Sequence, residues 1–408
     1  MGMSERSAAR GGLMTSSTCV FVNPPTTSEF VFRSRLMSRF ARIAAVWCSA
    51  FVLIGAATAA EPPPAPLSTP AAALEIAVDP RIELVAAVSY LAGGRDGWSP
   101  RSESPYREAM KAWAEPYRKH PAVARLRAIQ GFAYSYPAQA ILHFGPPPAF
   151  EPIAPVPQDA IDAIGGPRAM DAWVRSLREF ARDTRYMAFY RSQQPQFDKM
   201  LARARATLGE TDIVGPFERF YGLQPQRYSV ILAPNILAGA FGPNVALPDG
   251  RHHFYNIQGA AGLVDGVLDF GQAASIASLG WHEFGHTVVN PLDAAQSTKL
   301  EMSASLYAPI ADDMRAAAYP NWQVAANEAL VRANVLHLCR TVFVADAAIT
   351  CIESQLTGSV VFDGYVYRIA DFRTAYYERF RAKWPTYADF HPIDLQVLEL
   401  LAASRRTS

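Results

Sequence analysis

Apolar positions at Ile82, Leu84, Val85, Val88 and Leu91 recur at helical spacing and open the patterned part of a 408-residue chain. Further helices are predicted over 106–115, over 121–130, where Pro121 suits a first turn, and over two longer amphipathic stretches, 167–190 and 196–208. Near Tyr228 the texture changes. Residues 228–233 are apolar and β-branched, and 253–257 alternate as a second strand, with Gly239, Gly242, Pro243 and Pro248-Asp249-Gly250 turning the chain between them. A sheet edge here could take an extended peptide as an added strand; a hairpin that merely supports the next helix is the alternative. That next helix runs from Ala273, and Asn290-Pro291 is its expected stop, because proline disfavours helical geometry in the residue before it. Helices are also expected over 298–314, over 322–338 with Asn321 as cap, and over 370–381 and 394–403. The pattern predicts an α+β fold, one mostly helical compact unit with a small sheet. Its helical N-terminal part would span 76–225, and 226–408 would hold the sheet and the helices after it.

The first 75 residues carry no such pattern. Arg39 and Arg42 precede an apolar run over 43–54 and a small-residue stretch over 55–60, which reads as a signal peptide over 37–60 cleaved near Ala59 or Ala60. The run is too short to span a bilayer of about 30 Å, so no membrane span is expected in the mature chain. Residues 1–36 are long and polar for a signal's basic region, and Met37 makes a compact start, so 1–36 read as a start-site misassignment. Residues 61–75 form a Pro/Ala-rich linker. Residues 1–60 hold six arginines and two glutamates, so taking their +4 from the chain's +1 leaves the mature chain at −3. No basic stripe with interleaved aromatics remains, which argues against nucleic acid as a partner. Cys19 and Cys48 leave with the leader. In an exported protein Cys339 and Cys351 are expected to form a disulfide, with two buried thiols as the alternative.

The chemistry concentrates in His282-Glu283-Phe284-Gly285-His286. On a helix, residues four apart share a face, so His282 and His286 can offer two imidazole nitrogens to one metal ion while Glu283 stands beside them as a general base. Gly285 costs about 1 kcal/mol against alanine inside a helix, which implies close approach by another segment or by substrate. A catalytic Zn²⁺ commonly takes three protein ligands and keeps one open position. Glu328, in Asn327-Glu328-Ala329 with Arg332 one turn later, is the favoured third ligand, oriented by that guanidinium. Glu301 is the second choice, and Asp312, Asp313 and His337 also lie downstream. His252 and His253 read as turn or surface residues.

The five-residue motif followed by Asn327-Glu328-Ala329 resembles the gluzincins, zinc metallopeptidases of the thermolysin and alanyl aminopeptidase kind. The stretches 117–124, 131–134 and 282–292 are similar to a bacterial secreted family classed as a domain of unknown function. The resemblance implies a zincin-like fold, Zn²⁺ held by His282, His286 and Glu328, Glu283 as base, and a peptide or protein substrate. It also makes Tyr365 and Tyr367 candidate oxyanion donors, by analogy with the tyrosine of some gluzincins. The chain lacks the Gly-x-Met-Glu-Asn motif of alanyl aminopeptidases, which weighs against that activity. The reading is a secreted zinc metallohydrolase, most simply a peptidase. A zinc hydrolase of another substrate, or a non-catalytic binding module, are the alternatives.

Overall fold

Two strands for which a simple hairpin is the alternative reading run parallel instead. In a computed structural model, whose described residues are 19–20, 74–93, 102–129, 135–236 and 239–406, Arg227–Ala233 (β3) pairs in parallel register with His252–Gly259 (β6), Tyr228 opposite Phe254. The short strands between them, Gly239–Phe241 (β4) and Asn244–Ala246 (β5), fold back antiparallel on the other side of β6. Strand β6 is therefore paired on both sides, and no edge runs along it. Leu74–Ala77 (β2) adds in parallel to the far side of β3, so the patterned chain starts two residues inside the stretch read as linker. Cys19–Val20 (β1) pairs antiparallel with β4, giving the order β1-β4-β6-β3-β2 with β5 on β6. Gly262–Val264 (β7) and Val267–Asp269 (β8) form a separate hairpin. Apart from Cys19–Val20, residues 1–73, with the expected signal peptide and most of the Pro/Ala linker, lie outside the described residues. Residues Ala71–Ser408 belong to one compact unit, and among the described residues no helix is long and apolar enough to cross a membrane.

Side chains alternate across a strand, so the sheet is packed on both of its faces. Tyr228 and Phe254 face the motif helix, Ala273–Ala295, while Ile231, Tyr255 and Ile257 face the N-terminal helices that begin with Pro80–Leu91. Phe284 of the motif helix meets the rings of Phe217, Tyr228 and Phe254 edge-on or tilted, at 5.2–6.3 Å. Trp281 donates its indole N–H to the Ile213 carbonyl at 2.7 Å. These contacts fix the rotation of the helix and turn its histidines away from the sheet. The glutamate helix, Trp322–Val342, lies along its other flank. Asn321 caps that helix as expected, accepting the Val324 N–H at 3.0 Å.

Several boundaries differ from the sequence pattern. The motif helix runs through Pro291 to Ala295, where tertiary bonds to Asp293 from Asn327 and His391 offset the hydrogen bond that proline removes. The expected helix over 298–314 is broken into Ser297–Glu301, two 3₁₀ turns and Ala311–Ala316; Pro309 withholds an N–H and disfavours helix before it. The stretch 167–190 divides into Pro167–Asp183 and Tyr186–Ser192 at Arg185, whose φ is 51°. The helix expected from residue 370 begins at Val360 and ends at Ala375, so Tyr365 and Tyr367 are helical. The last helix, Tyr387–Arg406, is longer than expected. Cys339 and Cys351 form a disulfide with Cα atoms 5.6 Å apart.

Candidate metal centre

His282, Glu283 and His286 are buried, as is Glu328 on the neighbouring helix. Gly285 makes this proximity possible. A Cβ there would stand 3.0 Å from the Tyr221 hydroxyl and 3.2 Å from Val331 Cγ1 on the glutamate helix, so the close approach expected at this glycine comes from protein. The imidazoles converge with Nε2 atoms 3.0 Å apart. Glu328 Oε1 is 3.3 Å from His286 Nε2, and Oε2 is 3.5 Å from His282 Nε2. Among the described residues these three form the one cluster of ligand-type side chains that could hold a metal ion, their ligand atoms all within 4.8 Å of one another.

Each imidazole is aimed by the bond its other nitrogen makes. His282 Nδ1 lies 2.8 Å from Gln355 Oε1, and the orientation of that amide is set by Nε2, which donates to Ser278 Oγ at 2.6 Å. His286 Nδ1 lies 3.0 Å from Asn327 Oδ1 and 3.1 Å from Asn290 Oδ1. Asn327 in turn donates Nδ2 to Asp293 Oδ2 at 2.8 Å, and Asp293 Oδ1 meets His391 Nε2 at 2.7 Å. With amide oxygens accepting both Nδ1–H groups, both Nε2 lone pairs point into the space shared with Glu328. Two facing lone pairs and a carboxylate, shut from water, require positive charge between them. The titration behaviour agrees. Burial opposes charge on His286, but the Glu328 carboxylate lifts its imidazole to about 9, while burial holds His282 down to about 4. Burial works against the charge on Glu328 too, yet the two histidines keep its carboxyl well below the usual range. Two imidazole nitrogens and a carboxylate so arranged are a donor set that could hold a metal ion.

Arg332 holds Glu328 from outside, with Nε 3.3 Å from Oε2, as the one-turn spacing implied. It also donates to the Gln355 carbonyl at 2.5 Å and to the Tyr319 hydroxyl at 3.1 Å. Glu283 is 1 % exposed. Neither of its oxygens makes a well-formed hydrogen bond among the described residues, the Gly242 N–H approaching without the geometry of one. Burial pushes this carboxyl up to about 8, opposed by the charge on His286. Gly242, after β4, packs on Glu283 so closely that a Cβ would fall 2.7 Å from Glu283 Cβ.

The other candidates stand elsewhere. Glu301 is exposed, as are Asp312 and Asp313, and His337 pairs with Thr374 and Glu378. Tyr365 donates to the Leu306 carbonyl and receives Arg405, and the Tyr367 ring lies under Arg340, 5.9 Å from its guanidinium carbon. Neither tyrosine is brought to the cluster by these contacts. His252 and His253 are half-buried strand residues of β6, not turn residues; His253 stacks on Tyr255 and bonds Ser229 Oγ at 2.7 Å. Sequence reasoning missed Gln355, Asn290, Asp293 and His391. Only Asn290, four residues after His286, carried a signal in helical spacing.

Fold and site together define an α+β protein, mostly helical, with a buried two-histidine, one-glutamate group able to hold a metal ion. The chain matches the family described as Domain of unknown function (DUF4932) over residues 155–397, more than half its length, and belongs to that family. No curated protein and no solved structure matches it.

Proposed function

We propose that this protein is an exported zinc-dependent metallohydrolase with a zincin-like fold, most simply a peptidase. The observation that carries this reading is the convergence of His282 Nε2, His286 Nε2 and Glu328, with both Nδ1 atoms already committed to amide oxygens. His282, His286 and Glu328 would hold the ion. When bound, such an ion supplies Lewis acidity toward a carbonyl and toward water. Glu283 is the proton carrier, taking a proton from the attacking water and giving it to the leaving amine. A buried carboxyl whose proton burial helps to retain, and which makes no well-formed hydrogen bond among the described residues, suits both directions of transfer. The Arg332 guanidinium holds Glu328 in its orientation.

A second reading has one observation in its favour. His282 and Glu328 are 0 % exposed, as the ligands of a structural ion would be. Against it, a structural site has no use for a buried carboxyl at Glu283, and such sites are commonly closed by cysteines. Elemental mass spectrometry on the purified chain beside Glu328→Ala and Glu301→Ala tests the ligand set: one zinc per chain is expected, lost in the Glu328 variant alone. A peptide library then separates the readings. Hydrolysis by the zinc-loaded chain, abolished in Glu283→Gln with zinc retained, supports the peptidase; zinc without hydrolysis of any peptide removes it.

A further inference from the structure

We propose that Gln355 is a positioning residue for the metal, and that the Cys339–Cys351 disulfide holds it in place. The inference rests on the metal reading above and concerns residues that no motif includes.

Gln355 is fully buried and touches both ligand-bearing helices. Its side-chain oxygen takes His282 Nδ1 at 2.8 Å, and its side-chain nitrogen donates to Ser278 on the motif helix. Its main-chain carbonyl receives Arg332, which grips Glu328 on the glutamate helix. A single residue therefore aims one metal ligand directly and steadies another through a guanidinium. A neutral amide oxygen fixes the Nδ1–H tautomer of His282 and directs its Nε2 lone pair inward.

The helix that delivers Gln355 packs against both ligand-bearing helices yet buries little side chain of its own. It is Ala345–Glu353, in which Cys351 is the single buried residue. That helix has no side-chain cap at Val344, which is 82 % exposed, and it presents Ile349 to solvent at 54 %. Burial of apolar area is the main stabilising term for a packed helix, and here it comes from Cys351 and the partly buried Ala347 and Ile352. The bond from Cys351 to Cys339 ties this helix to the last turns of the glutamate helix. Four residues beyond Cys351 the chain reaches Gln355, by way of Ser354, whose hydroxyl donates to the Cys351 carbonyl at 2.7 Å and meets Ser278 Oγ at 2.5 Å.

The test is zinc affinity, measured by competition with a chromogenic chelator on the full chain, Gln355→Ala, Gln355→Glu, the Cys339→Ser/Cys351→Ser pair, and that pair combined with Gln355→Ala. Loss of such a supporting contact weakens metal binding roughly 10- to 100-fold. That loss is expected for Gln355→Ala, with recovery in Gln355→Glu, whose carboxylate accepts the same N–H. The serine pair should lose affinity by a similar factor, and adding Gln355→Ala to it should cost little more. Affinity unchanged in Gln355→Ala overturns the proposal, as do losses that multiply in the combined variant. Should the serine pair not fold, the alanine and glutamate variants decide alone. A full chain that takes up neither zinc nor any other divalent ion sinks the metal reading and this inference together, whereas zinc held equally by full chain and Gln355→Ala sinks this inference only.

Discussion

Replacing Gly285 with alanine sets two effects of opposite sign against each other. Within a helix, alanine is favoured over glycine by about 1 kcal/mol, so propensity alone makes Gly285→Ala a stabilising change. The new methyl, however, would stand 3.0 Å from the Tyr221 hydroxyl and 3.2 Å from Val331 Cγ1. Neither neighbour yields easily. Tyr221 is 1 % exposed and its hydroxyl accepts Asn334 Nδ2 at 2.9 Å, while Val331 is fully buried within the glutamate helix. Overpacking of this kind costs about 1–3 kcal/mol, so a net loss of roughly 0–2 kcal/mol is expected after the propensity gain. The same methyl levers the motif helix from the glutamate helix and so parts the histidines from Glu328. Gly364, inside the helix Val360–Ala375, supplies the control, because nothing lies within 4 Å of a Cβ built there. Gly364→Ala should stabilise by about 1 kcal/mol. Chemical denaturation of both variants, each with and without zinc, checks the pair. If Gly285→Ala proves as stabilising as Gly364→Ala and binds zinc normally, the close-packing account of this glycine is wrong.

Two further changes test parts of the fold away from the histidines. Glu83, buried among Tyr106 and Asn235, has its carboxyl pushed by burial from 4.5 up to about 7, against the two hydrogen bonds it accepts. The folded chain thus keeps a proton that the unfolded chain releases above about 4.5, so stability should fall as pH rises from there through 7, by about 3 kcal/mol in all. Glu83→Gln should flatten that part of a stability-against-pH curve, and an unaltered slope counts against the assignment. Arg373 and Asp394 form a buried pair at 2.7 Å, with Arg373 also reaching the Leu330 carbonyl on the glutamate helix. Asp394→Ala should cost about 3–5 kcal/mol in denaturant unfolding by stranding the guanidinium, and a loss below about 1 kcal/mol, the level of an exposed pair, contradicts that reading.

What could be read from the sequence was what local rules govern. The i, i+4 histidines, the Asn321 cap and the Arg332 one turn beyond Glu328 all depend on helical spacing, and all stand as expected. Strand pairing depends on partners far apart in the chain, so the alternation in β3 and β6 identified strands without revealing that they run parallel. Pro291 misled because its local preference was outweighed by Asp293 bonding Asn327 and His391 at a distance. Gln355 and His391 reach the site across 73 and 98 residues from their partners, and an isolated glutamine or histidine carries no periodic mark. Tyr365 and Tyr367 were singled out by analogy of position, and the helix that holds them turns one toward Arg405 and sets the other under Arg340.

The complete enclosure of His282 and Glu328 has a kinetic side. In the closed arrangement a bound ion would exchange slowly, and a substrate too would reach it only when the packing around the motif and glutamate helices opens. Residence time then follows the frequency of that opening and not the strength of the ligands alone. A chain that closes without its ion would be slow to correct the omission. For such a protein, the moment of loading belongs to folding.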